Sequence, residues 1–208
     1  MDRKNKLQFG DFQTPTSLSH KICRFLSENQ FNPSSILEPT CGMGNFLISA
    51  IDQFDSTKEA IGIDINPTYI KTVKERIESS KFSIKTNICQ DNFFKIDWKK
   101  VLSQLPQPIL IIGNPPWVTN SQLSGLGSSN LPKKSNFHHS KGIEALTGKS
   151  NFDISEWMLV HLIQNSIGLN VKIAMLCKTA VARKVLIYAW KNNIPVNNSA
   201  IYKIDAQK

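Results

Sequence analysis

Six short apolar runs alternate along this chain with longer segments whose apolar residues recur at intervals of three and four. The runs are SILE (35–38), AIGIDI (60–65), FSIKTNI (82–88), PILIIG (108–113), VKIAMLC (171–177) and AIYKID (200–205). Runs of this length suit buried strands, and the segments around them (16–29, 45–54, 67–80, 153–166 and 179–193) have the period of amphipathic helices. Parallel strands need long crossovers, for which a helix is the usual solution, so the alternation predicts an α/β, doubly wound, mostly parallel sheet. Ligands of such sheets sit beyond the carboxyl ends of the strands, which puts the functional weight on the residues that follow each run. With 208 residues, 40% of them hydrophobic, the chain suits one domain. Residues 118–150 break the rhythm. They are rich in Ser, Gly, Asn and Lys, and a stretch this long reads as a functional lid or a disordered segment.

The net charge of +9 favours a polyanionic partner, nucleic acid first and an anionic membrane surface second. No stretch approaches the roughly 18 apolar residues of a membrane span, and MDRKNKLQFG lacks the apolar centre of a signal peptide, so a cytoplasmic protein is expected. Cys23, Cys41, Cys89 and Cys177 are far apart with no C-x-x-C spacing, which suits reduced, mostly buried thiols. His138 and His139 have no acidic or thiol companions, so no metal site is expected.

Four strand ends carry polar constellations. ILEPTCGMGNFLIS (36–49) combines a terminal carboxylate, Glu38, with a turn containing Gly42 and Gly44, which let the backbone bend and approach a ligand closely. A negative charge there suits an ammonium or sulfonium better than a phosphate. The alternative is a packing turn. Asp64, with Ile65 beside it, ends the next run at a position suited to ribose hydroxyls, or else caps the helix starting near Pro67. QDNFF (90–94) offers Asp91 to an adenine amino group and Phe93 or Phe94 to flank its ring; the alternatives are a cap and core aromatics. After PILIIG comes NPPW, where Pro115 and Pro116 stop the strand because each lacks an N–H and has a fixed φ. Individually these features are weak; at successive strand ends they describe a nucleoside site.

The ordered set FGDFQTP, ILEPTCGMGNFL, GIDINP, QDNFF, IIGNPPW and SNFDISEWML resembles the adenine-N6 DNA methyltransferases of restriction-modification systems, in the branch whose FGDFQTP-like segment precedes the catalytic motif. The similarity runs from about Phe9 to the end of the chain. It implies a class I S-adenosylmethionine-dependent, Rossmann-like fold occupying residues 1–208, with the C-terminal strand hairpin incomplete and the target-recognition region absent. It further implies that Asn114, Pro115, Pro116 and Trp117 handle a flipped-out target adenine in DNA. Thr14 and Pro15 would pack beside the methionine moiety of S-adenosylmethionine, with Glu38, Cys41, Gly42 and Gly44 at the same end. Asp64 and Ile65 would take the ribose, and Asp91 and Asn92 the adenine. Asn114 would border both ligands. Family members often carry Tyr or Phe where Trp117 stands. Lys133, Lys134, Lys141 and Lys149 in the basic loop would contact phosphates, and a second basic group, Lys172, Lys178, Arg183, Lys184 and Lys191, reads in part as a helix surface. Sequence readout would come from a specificity region or subunit elsewhere. Methylation of RNA or of a protein glutamine amide, since similar Asn-Pro-Pro-aromatic turns serve those reactions, and a truncated fragment that only binds cofactor or partner, are the competing readings.

Overall fold

A computed structural model describes residues 13–29, 31–119 and 153–204. In chain order the elements are α1 (Thr16–Glu28), β1 (Ser35–Glu38), α2 (Asn45–Gln53), β2 (Glu59–Asp64), α3 (Pro67–Ser80), β3 (Lys85–Gln90), α4 (Trp98–Gln104), β4 (Ile109–Gly113), α5 (Ile154–Asn165), β5 (Val171–Met175) and α6 (Thr179–Lys191). The five strands form one parallel sheet in the order β3-β2-β1-β4-β5. The chain winds outward from β1 in one direction through β2 and β3, then returns to β4 on the other side. This reversal opens a crevice at the carboxyl ends of β1 and β4, the topological switch point.

Alternation along each strand builds two cores. Leu37, Ile61, Ile109 and Ile111 face one side with Trp98, Leu102, Trp157 and Met158 from α4 and α5. Ile36, Ala60, Leu110 and Ile112 face the other with Cys23, Phe46, Leu47 and Val73 from α1, α2 and α3. Because β1 and β4 bury residues on both faces, their sequences are continuously apolar. A third cluster joins α5 to α6 through Leu159, Val181, Val185 and Tyr188. Helix starts follow local chemistry: Asn66 Oδ1 accepts Thr68 N at 2.9 Å ahead of Pro67 at the first position of α3, and Asp153 Oδ1 accepts Ser155 N at 3.1 Å at the start of α5. Among the described residues no helix is long and apolar enough to cross a membrane.

Two expectations are corrected, and one helix is added. AIYKID forms no strand over its described residues, 200–204; instead Tyr202 lies edge-on against Phe25 of α1 at 4.8 Å, so its apolar alternation meets a helix rather than a sheet edge. The run FSIKTNI starts its strand three residues late, because the register Glu59↔Lys85 to Asp64↔Gln90 is set by β2, while Phe82 and Ile84 pack on the α1–α3 side. Segment 98–104 is a helix that periodicity over so few residues did not reveal; Asp97 Oδ1 capping Lys100 N at 3.0 Å is the signal that was present. Of the cysteines, Cys23 and Cys41 are buried, while Cys89 and Cys177 are half-buried, and all four are free thiols.

Candidate active site

The crevice is built on the glycine turn between β1 and α2. Gly42 and Gly44 have φ of +49° and +75°, conformations that a side chain disfavours. At Gly44 a Cβ would also approach the methyls of Val73 to 3.0 Å, and at Gly42 it would meet the Gln13 amide at 2.9 Å. The turn thus needs glycine for its backbone and for the close packing of α3 and the N-terminal segment. Asp64, ending β2, accepts Gly42 N through Oδ2 and Asn66 N through Oδ1, both at 2.8 Å. One carboxylate therefore braces the turn and the entrance to α3, while the capping role that was its alternative falls to Asn66.

Glu38 is only 3% exposed. Its Oε2 accepts Leu47 N at 2.8 Å, and its Cγ lies 3.4 Å from where a Gly113 side chain would begin. Burial holds its carboxyl well above the ordinary carboxylate range, assisted by the charge of Asp64 and opposed by the Leu47 hydrogen bond and by Arg76. Cys41 turns its thiol into the core beneath the turn and donates its own N–H to Ile63 O at 2.7 Å; burial pushes that thiol far up, as it pushes Cys23 up to about 12.

Asn114 begins the exit from β4. Its Nδ2 donates to Thr14 Oγ1 at 3.2 Å, and its Oδ1 is buried. Pro115 is buried, Pro116 half-buried, and Trp117 is 38% exposed with Nε1 directed at Leu176 O at 3.4 Å. The departing chain is pinned where Ile154 N meets Val118 O at 2.9 Å and Thr119 bridges Asp153. Thr14 is buried at 8% exposure, and Pro15 stands exposed at the head of α1, its carbonyl accepting Leu18 N and Ser19 N. On the other flank Asp91 is exposed and accepts Asn92 N at 2.7 Å, Asn92 caps the turn at Phe94 N, and Ile65 O accepts Gln90 Nε2 at 3.3 Å. Phe93 takes the alternative of a core aromatic, its ring tilted against Trp98 with centroids 4.7 Å apart, which leaves the partly exposed Phe94 as the aromatic of that strand end.

The crevice therefore gathers Thr14, Pro15, Glu38, Gly42, Gly44, Asp64 and Asn114, with Asp91 and Asn92 two strands away. Lys133, Lys134, Lys141 and Lys149, like His138 and His139, lie outside the described residues. Of the second basic group, Lys178 and Lys184 pair with Asp153 and Glu156 at 2.8 and 3.2 Å, and Lys172 covers the Phe31 ring at 4.4 Å, so three of its five charges serve packing. Among the described residues no group of acids, histidines and cysteines could hold a metal. Sequence reasoning passed over Gln13, Asn45 and Arg76. Gln13 Oε1 accepts Met43 N at 3.1 Å, Asn45 Nδ2 donates to Thr14 O at 2.7 Å, and Arg76 Nη1 donates to Asn45 Oδ1 at 2.8 Å and to the Met43 carbonyl. Such contacts span 30 residues or more and leave no local pattern.

A buried acid thus stands beside a glycine turn at the switch point of the sheet. Residues 32–105 match the methyltransferase domain family. The chain is 48% identical over 208 residues to the type II methyltransferase M.NspV of Nostoc sp. (strain ATCC 29411 / PCC 7524), a match covering 99% of this chain and 42% of that protein. The similarity to this type II methyltransferase therefore runs along nearly the whole of the chain. The chain is also 29% identical over 119 residues to the type II methyltransferase M.CvrRI of Paramecium bursaria Chlorella virus XZ-6E, covering 57% of the chain and 27% of the relative. It spans less than half the length of both relatives. In fold it is similar to a solved structure from Listeria monocytogenes described as a class I S-adenosylmethionine-dependent methyltransferase, with a TM-score of 0.60 at 16% identity, over 88% of this chain and 53% of that one. S-adenosylmethionine, a sulfonium with an ammonium at its tail, is the methyl donor that the methyltransferase match implies.

Proposed function

We propose that this chain transfers a methyl group to the N6 amine of adenine in DNA, as the catalytic part of a restriction-modification or related system. The observation that carries the reading is Asn-Pro-Pro-Trp at the end of β4, on the opposite lip of the switch-point crevice from the glycine turn. When bound, S-adenosylmethionine supplies an electrophilic methyl on a sulfonium. Glu38 would favour its cationic part, Thr14 and Pro15 its methionine end, Asp64 and Ile65 its ribose, and Asp91 with Asn92 its adenine.

The exocyclic amine of adenine is a poor nucleophile, because its lone pair is delocalised into the ring. Asn114 Oδ1 and the Pro115 carbonyl each accept one of its N–H groups, which draws the nitrogen towards tetrahedral geometry and aims the lone pair at the crevice. Two prolines with fixed φ hold these acceptors still. Trp117 offers an exposed ring on which the target base, flipped from the duplex, stacks, and this offsets part of an unstacking cost of a few kcal/mol. No carboxylate base is needed, since the methylated amine is acidic and loses its proton to water. Sequence selection would come from a recognition region or subunit outside this domain, consistent with the greater length of the relatives.

Tritiated-methyl transfer to DNA, RNA and protein tests the reading. Asn114→Ala should reduce transfer to DNA by about 100-fold or more while S-adenosylmethionine still binds, because the missing acceptor acts on the target. Trp117→Ala should weaken use of duplex more than of single strands. Preferential methylation of RNA or glutamine would replace the substrate assigned here, and equal losses on single and double strands would remove the stacking role.

A further inference from the structure

Three polar residues from separate parts of the chain form one line behind Asn114. Arg76 Nη1 on α3 donates to Asn45 Oδ1 at 2.8 Å; Asn45 Nδ2, at the first position of α2, donates to Thr14 O at 2.7 Å; and Thr14 Oγ1 accepts Asn114 Nδ2 at 3.2 Å. Arg76 also holds the Met43 carbonyl, and Gln13 Oε1 accepts Met43 N at 3.1 Å. We infer that Asn45, backed by Arg76, is a positioning residue for the methyl-transfer step: it seats Thr14, and through Thr14 it holds the Asn114 amide by its nitrogen end. The inference rests on the reading of Asn114 as the acceptor for the target amine.

The physical reason lies in the two-ended nature of an amide. A carboxamide can present a donor or an acceptor to its target, and only the oxygen serves an amine that must give up its N–H hydrogens. Holding Nδ2 at Thr14 leaves Oδ1 as the end directed elsewhere. Thr14 belongs to an N-terminal segment, and a hydroxyl on such a segment has a fixed position only if its backbone is tied down. Asn45 supplies that tie. Its own amide is oriented at both ends, because the guanidinium can only donate and therefore engages Oδ1, which turns Nδ2 to the Thr14 carbonyl. The same turn that faces the cofactor thereby sets the acceptor that faces the target, so the two halves of the reaction share one frame.

The test uses the 208-residue chain and two readouts. The side-chain amide resonances of Asn114 are assigned by their disappearance in Asn114→Ala, and their exchange with water is compared in Asn45→Ala, Arg76→Gln, Thr14→Val and Thr14→Ser. Asn45→Ala and Thr14→Val should each speed exchange about tenfold, the equivalent of one neutral hydrogen bond, with Arg76→Gln in the same direction and Thr14→Ser close to the parent. In transfer assays kcat should fall about tenfold in Asn45→Ala while the dissociation constant for S-adenosylmethionine changes less than kcat does. An Asn114 amide unaffected by Asn45→Ala and Arg76→Gln overturns the relay, as does a loss confined to cofactor affinity. Should Asn114→Ala itself leave transfer intact, the reading of the site falls first. Should Asn114→Ala abolish transfer while the other variants leave both readouts unchanged, the relay alone falls.

Discussion

Glu38 is where residue chemistry and function pull in opposite directions. Its carboxyl is buried beside the charge of Asp64 and held well above the ordinary value of 4.5, so the folded chain retains a proton that the unfolded chain releases. The unfolded state therefore binds fewer protons as pH rises past 4.5, and stability falls by about 1.4 kcal/mol per pH unit until the folded group also ionises. Glu38→Gln, which keeps an acceptor for Leu47 N, should raise the melting temperature at about pH 8 and leave it nearly unchanged at about pH 4. Equal shifts at both pH values would show that packing, not charge, separates the variants. A cationic cofactor stabilises the ionised form, so below the pH at which the folded carboxyl ionises its binding should expel a proton. Calorimetry in two buffers of different ionisation heat reads this directly, and the proton release should vanish in Glu38→Gln.

At the scale of elements, the start of α5 ties the loop after β4 to the sheet. Asp153 accepts Ser155 N at 3.1 Å and Ser155 Oγ at 2.6 Å, and pairs with Lys178 from the β5–α6 turn at 2.8 Å. The Lys178 side chain is 46% exposed, so solvent screens the ion pair to a few tenths of a kcal/mol, whereas removal of an N-cap costs about 1 kcal/mol. Asp153→Ala should accordingly lower stability by about 1 to 2 kcal/mol and Lys178→Ala by no more than about 0.5 kcal/mol in urea unfolding. Comparable losses would assign the larger share to the charge pair. Because Val118 and Thr119 join the same junction, Asp153→Ala should also loosen Trp117, visible as a change in its fluorescence. The helix start was legible in SNFDIS, as Asp preceding an apolar period. The partner Lys178 was not, for it lies 25 residues on and is brought close only by the β4–β5 pairing.

The molecule as a whole carries a net charge of +9, yet several of its lysines are committed to internal pairs. Association with DNA is expected to be steep in salt and weakly selective for sequence, since phosphate contacts release counterions without reading bases. Fluorescence anisotropy with a mixed-sequence duplex should show log K falling linearly with log salt concentration. Replacing Lys133, Lys134, Lys141 and Lys149 by Gln should flatten the slope by about 0.9 for each phosphate that is no longer neutralised. A slope unchanged by those replacements would move the DNA-binding surface to other residues. Lys178→Gln and Lys184→Gln should scarcely alter it, because their charges already face Asp153 and Glu156.

The amino-acid sequence alone determined the kind of sheet and the points where β1 and β4 stop. Those properties are local: continuous apolar runs at β1 and β4, glycines at a tight turn, and two prolines after Gly113 act through neighbours a few positions away. It misjudged 200–204, β3 and the helix at 98–104, where a short pattern fits more than one partner and tertiary packing chooses. Only the folded structure decided that Phe93 is core while Phe94 is partly open, that the Cys41 thiol faces inward, and that Asp64 braces Gly42. It alone joined Arg76, Asn45, Thr14 and Asn114, residues spread over a hundred positions. Hydrogen bonds between side chains so distant in sequence have no period to read, because their partners are set by the order β3-β2-β1-β4-β5 and by how the helices pack across it.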